Sequence, residues 1–286
     1  MRPDSRRAPV LTPGRVFLLL TGLVLLAAVL WLAITPADRG GRDEAVPGVA
    51  CADGDGRDKT LGLFTTLPVY WNETARLSDY LAPDHESHWA RAVLERCHTL
   101  RALDTLTAGN PRTGPEAQED VAGLAGLDYL LMAQPRILTP AENVVLDDWV
   151  RAGGRVLLFA DPMLTAHSIH PLGDQRRPAD VVVLSPILAR WGLRLVFDEG
   201  QLPGERVAAV AGARMPVDMT GALVAMPTGG REASCHPQNG GLWAQCRIGR
   251  GWVLILADAA LLDEDGADRA MRIAGLTALL GKAFSD

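Results

Sequence analysis

Two aspartates stand directly after apolar runs of strand length, Asp161 after RVLLFA and Asp258 after GWVLILA. If those runs are parallel neighbours, both carboxylates emerge at the C-terminal ends of the strands, where open α/β sheets bind ligands. A polar loop after Asp161 carries His167, His170 and Asp174, the oxygen and imidazole donors of a possible metal cluster. Arg176 and Arg177 in the same loop would suit an anion. Such a crevice would serve a small-molecule binder or a metal-dependent hydrolase. A plainer reading competes with it: each aspartate caps the turn after its strand, the histidines are solvated and the arginines belong to an ordinary charged loop.

Sulfur offers a second chemistry. Cys235 and Cys246 flank Asn239-Gly240-Gly241, a hairpin signal. A Gly240-Gly241 loop sets the two cysteines opposite each other, within bridging range, whereas an Asn239-Gly240 turn sets them diagonal. Three states stay open: a disulfide in an oxidising compartment, two buried thiols, or zinc held together with His236. Cys51 falls in a glycine-rich stretch and Cys97 at an expected helix end. Amide-transfer chemistry needs a cysteine on a strained strand-to-helix elbow, backed by a histidine and a carboxylate. The sequence displays no such elbow, so no catalytic residue, cofactor or metal-ligand set is assigned. Trp71, Trp89, Trp149 and Trp191 read as core or interface rather than as a sugar platform.

The elements that must position these groups alternate between strand-length apolar runs and helix-length amphipathic stretches, the pattern of an α/β domain. LGLFTTLPVYW opens as a buried strand, HWARAVLERC is helical and LRALDTL offers a short strand. YLLMAQP reads as a central parallel strand buried on both faces. Thr139-Pro140 starts a helix that Gly153-Gly154 ends, and the strand RVLLF follows, completing a βαβ unit. A helix is expected over Val181 to Trp191, then the strand RLVFD, then short strands with glycine turns and the cysteine hairpin. GWVLILAD returns to a buried strand, and Asp268 to Phe284 closes as an amphipathic helix.

The phrase TPAENVVLDDWVRAGGRVLLFADP, after a strand that ends at Pro135, resembles the auxiliary proteins of uncharacterised ABC-type transport systems. The resemblance extends to LGDQRRP and to RIGRGWVLILADAALLD, and so covers roughly Leu61 to the C-terminus. It implies an exported domain of flavodoxin-like, class I glutamine-amidotransferase-like fold, with a mostly parallel sheet, helices on both faces and a late β-hairpin region, in a non-catalytic role. Other envelope or transport-complex proteins are the partners it implies.

Charge and hydropathy give the location. From Val16 to Ile34 nineteen residues run without a charge, and a helix of that length spans roughly 28 Å, close to the hydrocarbon thickness of a bilayer. Arg2, Arg6, Arg7 and Arg15 precede it, which keeps the N-terminus inside. The expected organisation is a cytoplasmic N-terminus (1–15), a transmembrane anchor (16–35), a flexible stalk (36–59) and a periplasmic α/β domain (60–286). A cleaved signal peptide is the rival to a retained anchor, but Thr35-Pro36-Ala37 fits a cleavage site poorly. With a net charge of −6 overall and +3 in the first fifteen residues, the exported part is acidic, and nucleic acid is not an expected partner.

Overall fold

A computed structural model describes residues 59–73, 87–108 and 123–285. The expected N-terminus and anchor, Cys51 and the stalk up to residue 58 lie outside these residues. Among the described residues no helix is long and apolar enough to cross a membrane.

Uninterrupted apolar runs need cover on both faces, and here that need sets the architecture. Strands β1 (Thr60–Thr65), β2 (Thr99–Ala102), β3 (Tyr129–Ala133) and β4 (Arg155–Phe159) join the later β9 (Ala233–Gln238), β10 (Trp243–Ile248) and β11 (Gly251–Leu256) in one seven-stranded sheet. Its order is β2-β1-β3-β4-β11-β10-β9. The first five of these are mutually parallel, and β10 and β9 run antiparallel along one edge. The parallel part therefore has the doubly wound order 2-1-3-4-5, with β11 as the fifth strand.

Alternate residues feed two cores. Leu131, Leu157 and Leu254 point to one, and Leu130, Leu158 and Ile255 to the other. Helices α1 (Trp89–Cys97) and α4 (Arg269–Phe284) cover the first face, and α2 (Pro140–Arg151) and α3 (Ser185–Arg190) the second. The chain is thus an α/β protein with a mostly parallel central sheet. Two ribbons stand apart from that sheet: β5 (Leu193–Phe197) with β8 (Gly221–Ala225), and β6 (Arg206–Val210) with β7 (Ala213–Val217).

Helix α2 begins with a capping box. Thr139 Oγ accepts the Glu142 amide at 3.2 Å and Glu142 Oε2 accepts the Thr139 amide at 2.9 Å. Glu142 also takes Arg136, the Thr105 hydroxyl and the Leu106 amide, which fastens the helix start to the loop after β2. Burial opposes its charge, but those donors win and hold its pKa down at about 2. Lower on α2, buried Asp147 receives Arg151 Nε at 2.9 Å, Trp191 Nε1 at 3.0 Å and Arg190 Nε, which locks α2 to α3.

Helix α3 is shorter than its apolar pattern predicts. Pro186 has no N–H to give the carbonyl four residues back, so the helix starts at Ser185. Val181 to Leu184 stay outside it, and the Val182 amide donates instead to the Asp161 carbonyl.

Candidate functional site

Strands β4 and β11 are parallel neighbours, with Phe159 beside Leu256. Asp161 and Asp258 consequently leave the sheet together, and both are fully buried. All four of their carboxylate oxygens are taken by main-chain donors. Asp161 Oδ1 accepts the Met163 amide at 2.8 Å and Oδ2 the Ala259 amide at 3.1 Å. Asp258 Oδ1 accepts the Ala260 amide at 2.8 Å and Oδ2 the Asp218 amide at 2.9 Å. Asp161 thus ties the end of β4 to the turn after β11, and Asp258 ties that turn to the end of β7. Burial, aided by the charge of Asp218, pushes Asp161 up to about 6 despite its two amide donors. Burial and then the neighbouring Asp161 push Asp258 well above the usual carboxylate range.

The remainder of this end is closed by Gln134, which sequence reasoning passed over. It follows β3 with φ at 45°, a left-handed backbone that a non-glycine residue adopts only when its surroundings hold it there. Its side chain is fully used: Nε2 donates to the Asp161 carbonyl at 3.0 Å and the Ala179 carbonyl at 2.8 Å, and Oε1 accepts the Asp161 amide at 3.0 Å. Thr66 Oγ donates to the Gln134 carbonyl and accepts the Ala179 amide. A strained strand end does exist here, although without the cysteine that amide-transfer chemistry needs. It lies at the strand-to-helix turn between β3 and α2, and it carries an amide in place of a nucleophile. A left-handed φ leaves no mark on sequence, and only the strand ending at Gln134-Pro135 hinted at it.

The loop of residues 162–184 is folded down over these strand ends. Besides the Gln134 and Thr66 contacts, Glu73 accepts the Ser168 hydroxyl and the Ile169 amide, both at 2.8 Å. His167 is exposed and His170 is buried, with no side-chain bond to either aspartate. Asp174 turns back on Arg176 at 2.7 Å, and that guanidinium holds its carboxyl well below the usual range. Arg177 pairs with Asp180 at 2.8 Å and donates to the His170 carbonyl at 2.9 Å. The two arginines proposed for an anion are thus each matched to an adjacent aspartate. Among the described residues no three His, Cys, Asp or Glu side chains are grouped to hold a metal ion.

At the far edge of the sheet, Cys235 lies directly opposite Cys246 with Cα atoms 4.0 Å apart, and the two sulfurs are bonded to each other. The turn at Asn239, Gly240 and Gly241 has positive φ at all three positions, which sets the register Gln238 to Trp243 and brings the cysteines opposite. His236 Nε2 contacts the Ser234 hydroxyl at 3.1 Å. Cys97 is disulfide-bonded as well. Of the tryptophans, Trp191 is core, whereas Trp71 is half exposed and packs edge-on against Tyr70.

Cavities also open elsewhere among the described residues. One, of about 680 Å³, lies between the two ribbons and is lined by Phe197, Asp198, Gln201, Arg206, Thr220 and Asn239 among others. Its polar groups bond one another: Arg206 donates to the Thr220 hydroxyl at 3.0 Å and Gln201 to the Thr220 carbonyl at 2.8 Å. Another, of about 320 Å³, sits at the N-terminal ends of β4 and β11 among Arg155, Arg247, Arg250, Trp252 and Lys282.

No model of a known protein family matches the chain, and no curated protein sequence matches it. Several solved structures overlap it in part. An exo-beta-1,4-mannosidase from Opitutaceae bacterium strain TAV5 is 14% identical, with a TM-score of 0.43 over 78% of this chain and 36% of its own. A beta-galactosidase from Bacillus circulans sp. alkalophilus is 9% identical, with a TM-score of 0.39 over 78% of this chain and 30% of its own. The chain therefore spans about a third of the length of these glycosidases. A putative ThuA-like protein from Bacteroides uniformis ATCC 8492 is 9% identical, with a TM-score of 0.37 over 83% of this chain and 98% of its own. Likenesses of this size assign neither an activity nor a partner.

Proposed function

We propose that this protein is a single-span, membrane-anchored domain held on the periplasmic side, with a flavodoxin-like, class I glutamine-amidotransferase-like fold. In this reading it serves as a non-catalytic binding accessory of an ABC-type transport system. One observation carries the non-catalytic part. At the strand ends where such a sheet would work, every carboxylate oxygen of Asp161 and Asp258 is occupied by a backbone amide, and the strained strand end carries Gln134. The export part draws on the charge-free run from Val16 to Ile34, the arginines before it and the Cys235–Cys246 disulfide, since such bonds persist in oxidising compartments. The ribbon cleft supplies an exposed, mixed polar and apolar surface for contact with another envelope protein.

The test has two parts. A phosphatase fused after Asp286 is expected to be active outside the cytoplasm, with the protein resisting carbonate extraction. A tagged full-length protein solubilised from membranes is expected to retain an ATPase and a permease. Activity only in the cytosol, or release by carbonate, would overturn the location, and recovery of no other envelope protein would overturn the accessory role. The competing reading, a small-molecule binder or metal-dependent hydrolase at Asp161 and Asp258, requires both carboxylates to leave their amide donors. Metal-induced stabilisation that disappears in Asp161→Asn and Asp258→Asn would put that reading in its place.

A further inference from the structure

The cavity at the N-terminal end of β4 and β11 gathers four cations around one indole. Arg247, Trp252 and Arg155 are register partners across β10, β11 and β4, so their side chains emerge on one face of the sheet. Arg250 arrives from the β10–β11 turn and Lys282 from the last turn of α4. Gly153 and Ser285 complete the lining, and no acidic side chain contributes to it among the described residues.

Helix ends explain part of this cluster. In a βαβ arrangement the C-termini of the crossover helices lie at the N-terminal ends of the strands, and their free carbonyls favour cations. Arg155 donates to the Ser285 carbonyl after α4, and Arg250 donates to the Ala152 carbonyl after α2 at 2.8 Å. Two helix C-termini, however, supply only roughly half a negative charge each. Against them stand the full positive charges of Arg247, Arg250 and Lys282, which leaves a surplus of roughly two even with Arg155 set aside. Among the described residues no hydrogen bond or ion pair engages Arg247 or Lys282, and both are exposed. A mutual repulsion of this kind, retained in a chain of net charge −6, is relieved by an anion in the cavity.

We infer that this cavity binds a phosphate group, either the headgroup of an anionic lipid or a small soluble phosphate. Its volume is at the lower end for small-ligand sites, and the acidity of the rest of the domain repels a long polyanion, so one or two phosphoryl units fit better than a nucleic acid. Arg247 and Arg250 present planar guanidinium donors to phosphoryl oxygens, Lys282 adds a point charge, and Trp252 gives the site an apolar wall.

The chain's two lysines, Lys59 and Lys282, provide an internal control. Full-length protein in neutral detergent is treated with an acetylating reagent, with and without pyrophosphate, and the rate at each lysine is read by mass spectrometry. The same rates are read in phosphatidylcholine nanodiscs with and without phosphatidylglycerol. Acetylation of Lys282 is expected to slow several-fold while Lys59 is unchanged. Slowing by pyrophosphate alone assigns a soluble phosphate, and slowing by phosphatidylglycerol assigns a lipid headgroup. By calorimetry, the exposed double variant Arg247→Gln/Lys282→Gln is expected to weaken the binding of pyrophosphate, or of glycerol phosphate where only the lipid protects, at least tenfold. Lys282 rates indifferent to both anions, or equal affinity in the variant and the unmodified protein, would overturn the site.

Discussion

The two ends of the parallel sheet treat their charges in opposite ways. At the C-terminal end the carboxylates of Asp161 and Asp258 are buried, and each oxygen is matched to a backbone amide. At the N-terminal end Arg247, Arg250 and Lys282 are exposed around an open cavity. At the open end cations gather near helix ends, whereas at the closed end the aspartates are met by amides of turns and strand ends. The two ends differ in whether the local backbone supplies enough partners. Where it does, the charge has become part of the fold, and where it does not, the charge is left for something outside the chain. Rules of fold class point to the first end as the binding site, whereas the inventory of partners points to the second.

The largest expected effect comes from breaking the closed end. Asp258→Ala removes the acceptor of the buried Ala260 amide and the partly buried Asp218 amide, and Asp161→Ala that of the buried Ala259 amide and the partly buried Met163 amide. Each unsatisfied buried donor costs about 1–3 kcal/mol, so each variant should lose about 3 kcal/mol in urea unfolding, less what is gained by relieving the repulsion between the pair. The two losses should not add, because the aspartates share the turn after β11. A loss under about 0.5 kcal/mol in either variant would mean that the end is open enough for water to replace the carboxylate.

A smaller effect is readable in pH. Asp161 titrates near 6 in the folded protein against an ordinary 3.8, so the native state holds its proton more tightly. Its contribution to stability is full below about pH 3.8 and is lost as pH rises through about 6. His88 has the opposite sign. Its ring is buried, accepting the Ala90 amide on Nδ1 and facing the Leu262 carbonyl and Glu264 with Nε2. Burial outweighs the Leu262 carbonyl, and with help from the charge of Arg269 it lowers the histidine to about 4. That contribution is full above pH 6.5 and is lost as pH falls through about 4. The two slopes oppose each other between about pH 4 and 6. Asp258 is raised by burial too and slopes with Asp161, so the double variant Asp161→Asn/Asp258→Asn should leave a profile that climbs with pH over this window, and His88→Gln one that falls. The midpoint of urea unfolding followed across pH 4–7 checks both signs.

The contrast between the ends was only half legible in the sequence. Asp161 and Asp258 announce themselves because each follows an apolar run, and their adjacency follows from reading both runs as parallel strands. Their partners were hidden: the Asp218 amide comes from the end of β7, 40 residues from Asp258. The loop arginines Arg176 and Arg177 looked available for an anion only because pairing with Asp174 and Asp180 is a matter of turn geometry. The helix over Val181 to Trp191 was overdrawn because its apolar spacing was weighed above the missing N–H of Pro186. The basic cavity was more accessible than it looked. In RIGRGW the two-residue turn Gly249-Arg250 puts Arg247 opposite Trp252, and a parallel β4 then brings Arg155 alongside. What sequence could not supply is Lys282, which reaches the same place only through the packing of α4 against the sheet.

The open end should also respond unequally to substitution, and the inequality separates cap from surplus. Arg155→Gln and Arg250→Gln weaken bonds to the carbonyls of Ser285 and Ala152, so each should cost up to about 1 kcal/mol. Arg247→Gln and Lys282→Gln remove charges without an internal partner among the described residues, so stability should change by no more than about 0.5 kcal/mol, in the stabilising direction. Salt discriminates further. Raising sodium chloride from 0.05 M to 0.5 M shortens the Debye length from about 14 Å to about 4 Å and so screens the mutual repulsion of Arg247, Arg250 and Lys282 around one cavity. The unmodified protein should gain more stability from this salt increase than the Arg247→Gln/Lys282→Gln variant, with the difference read as a shift in the urea midpoint. An equal response would mean that these three charges do not act on one another, and the surplus that distinguishes this end from the other would be nominal.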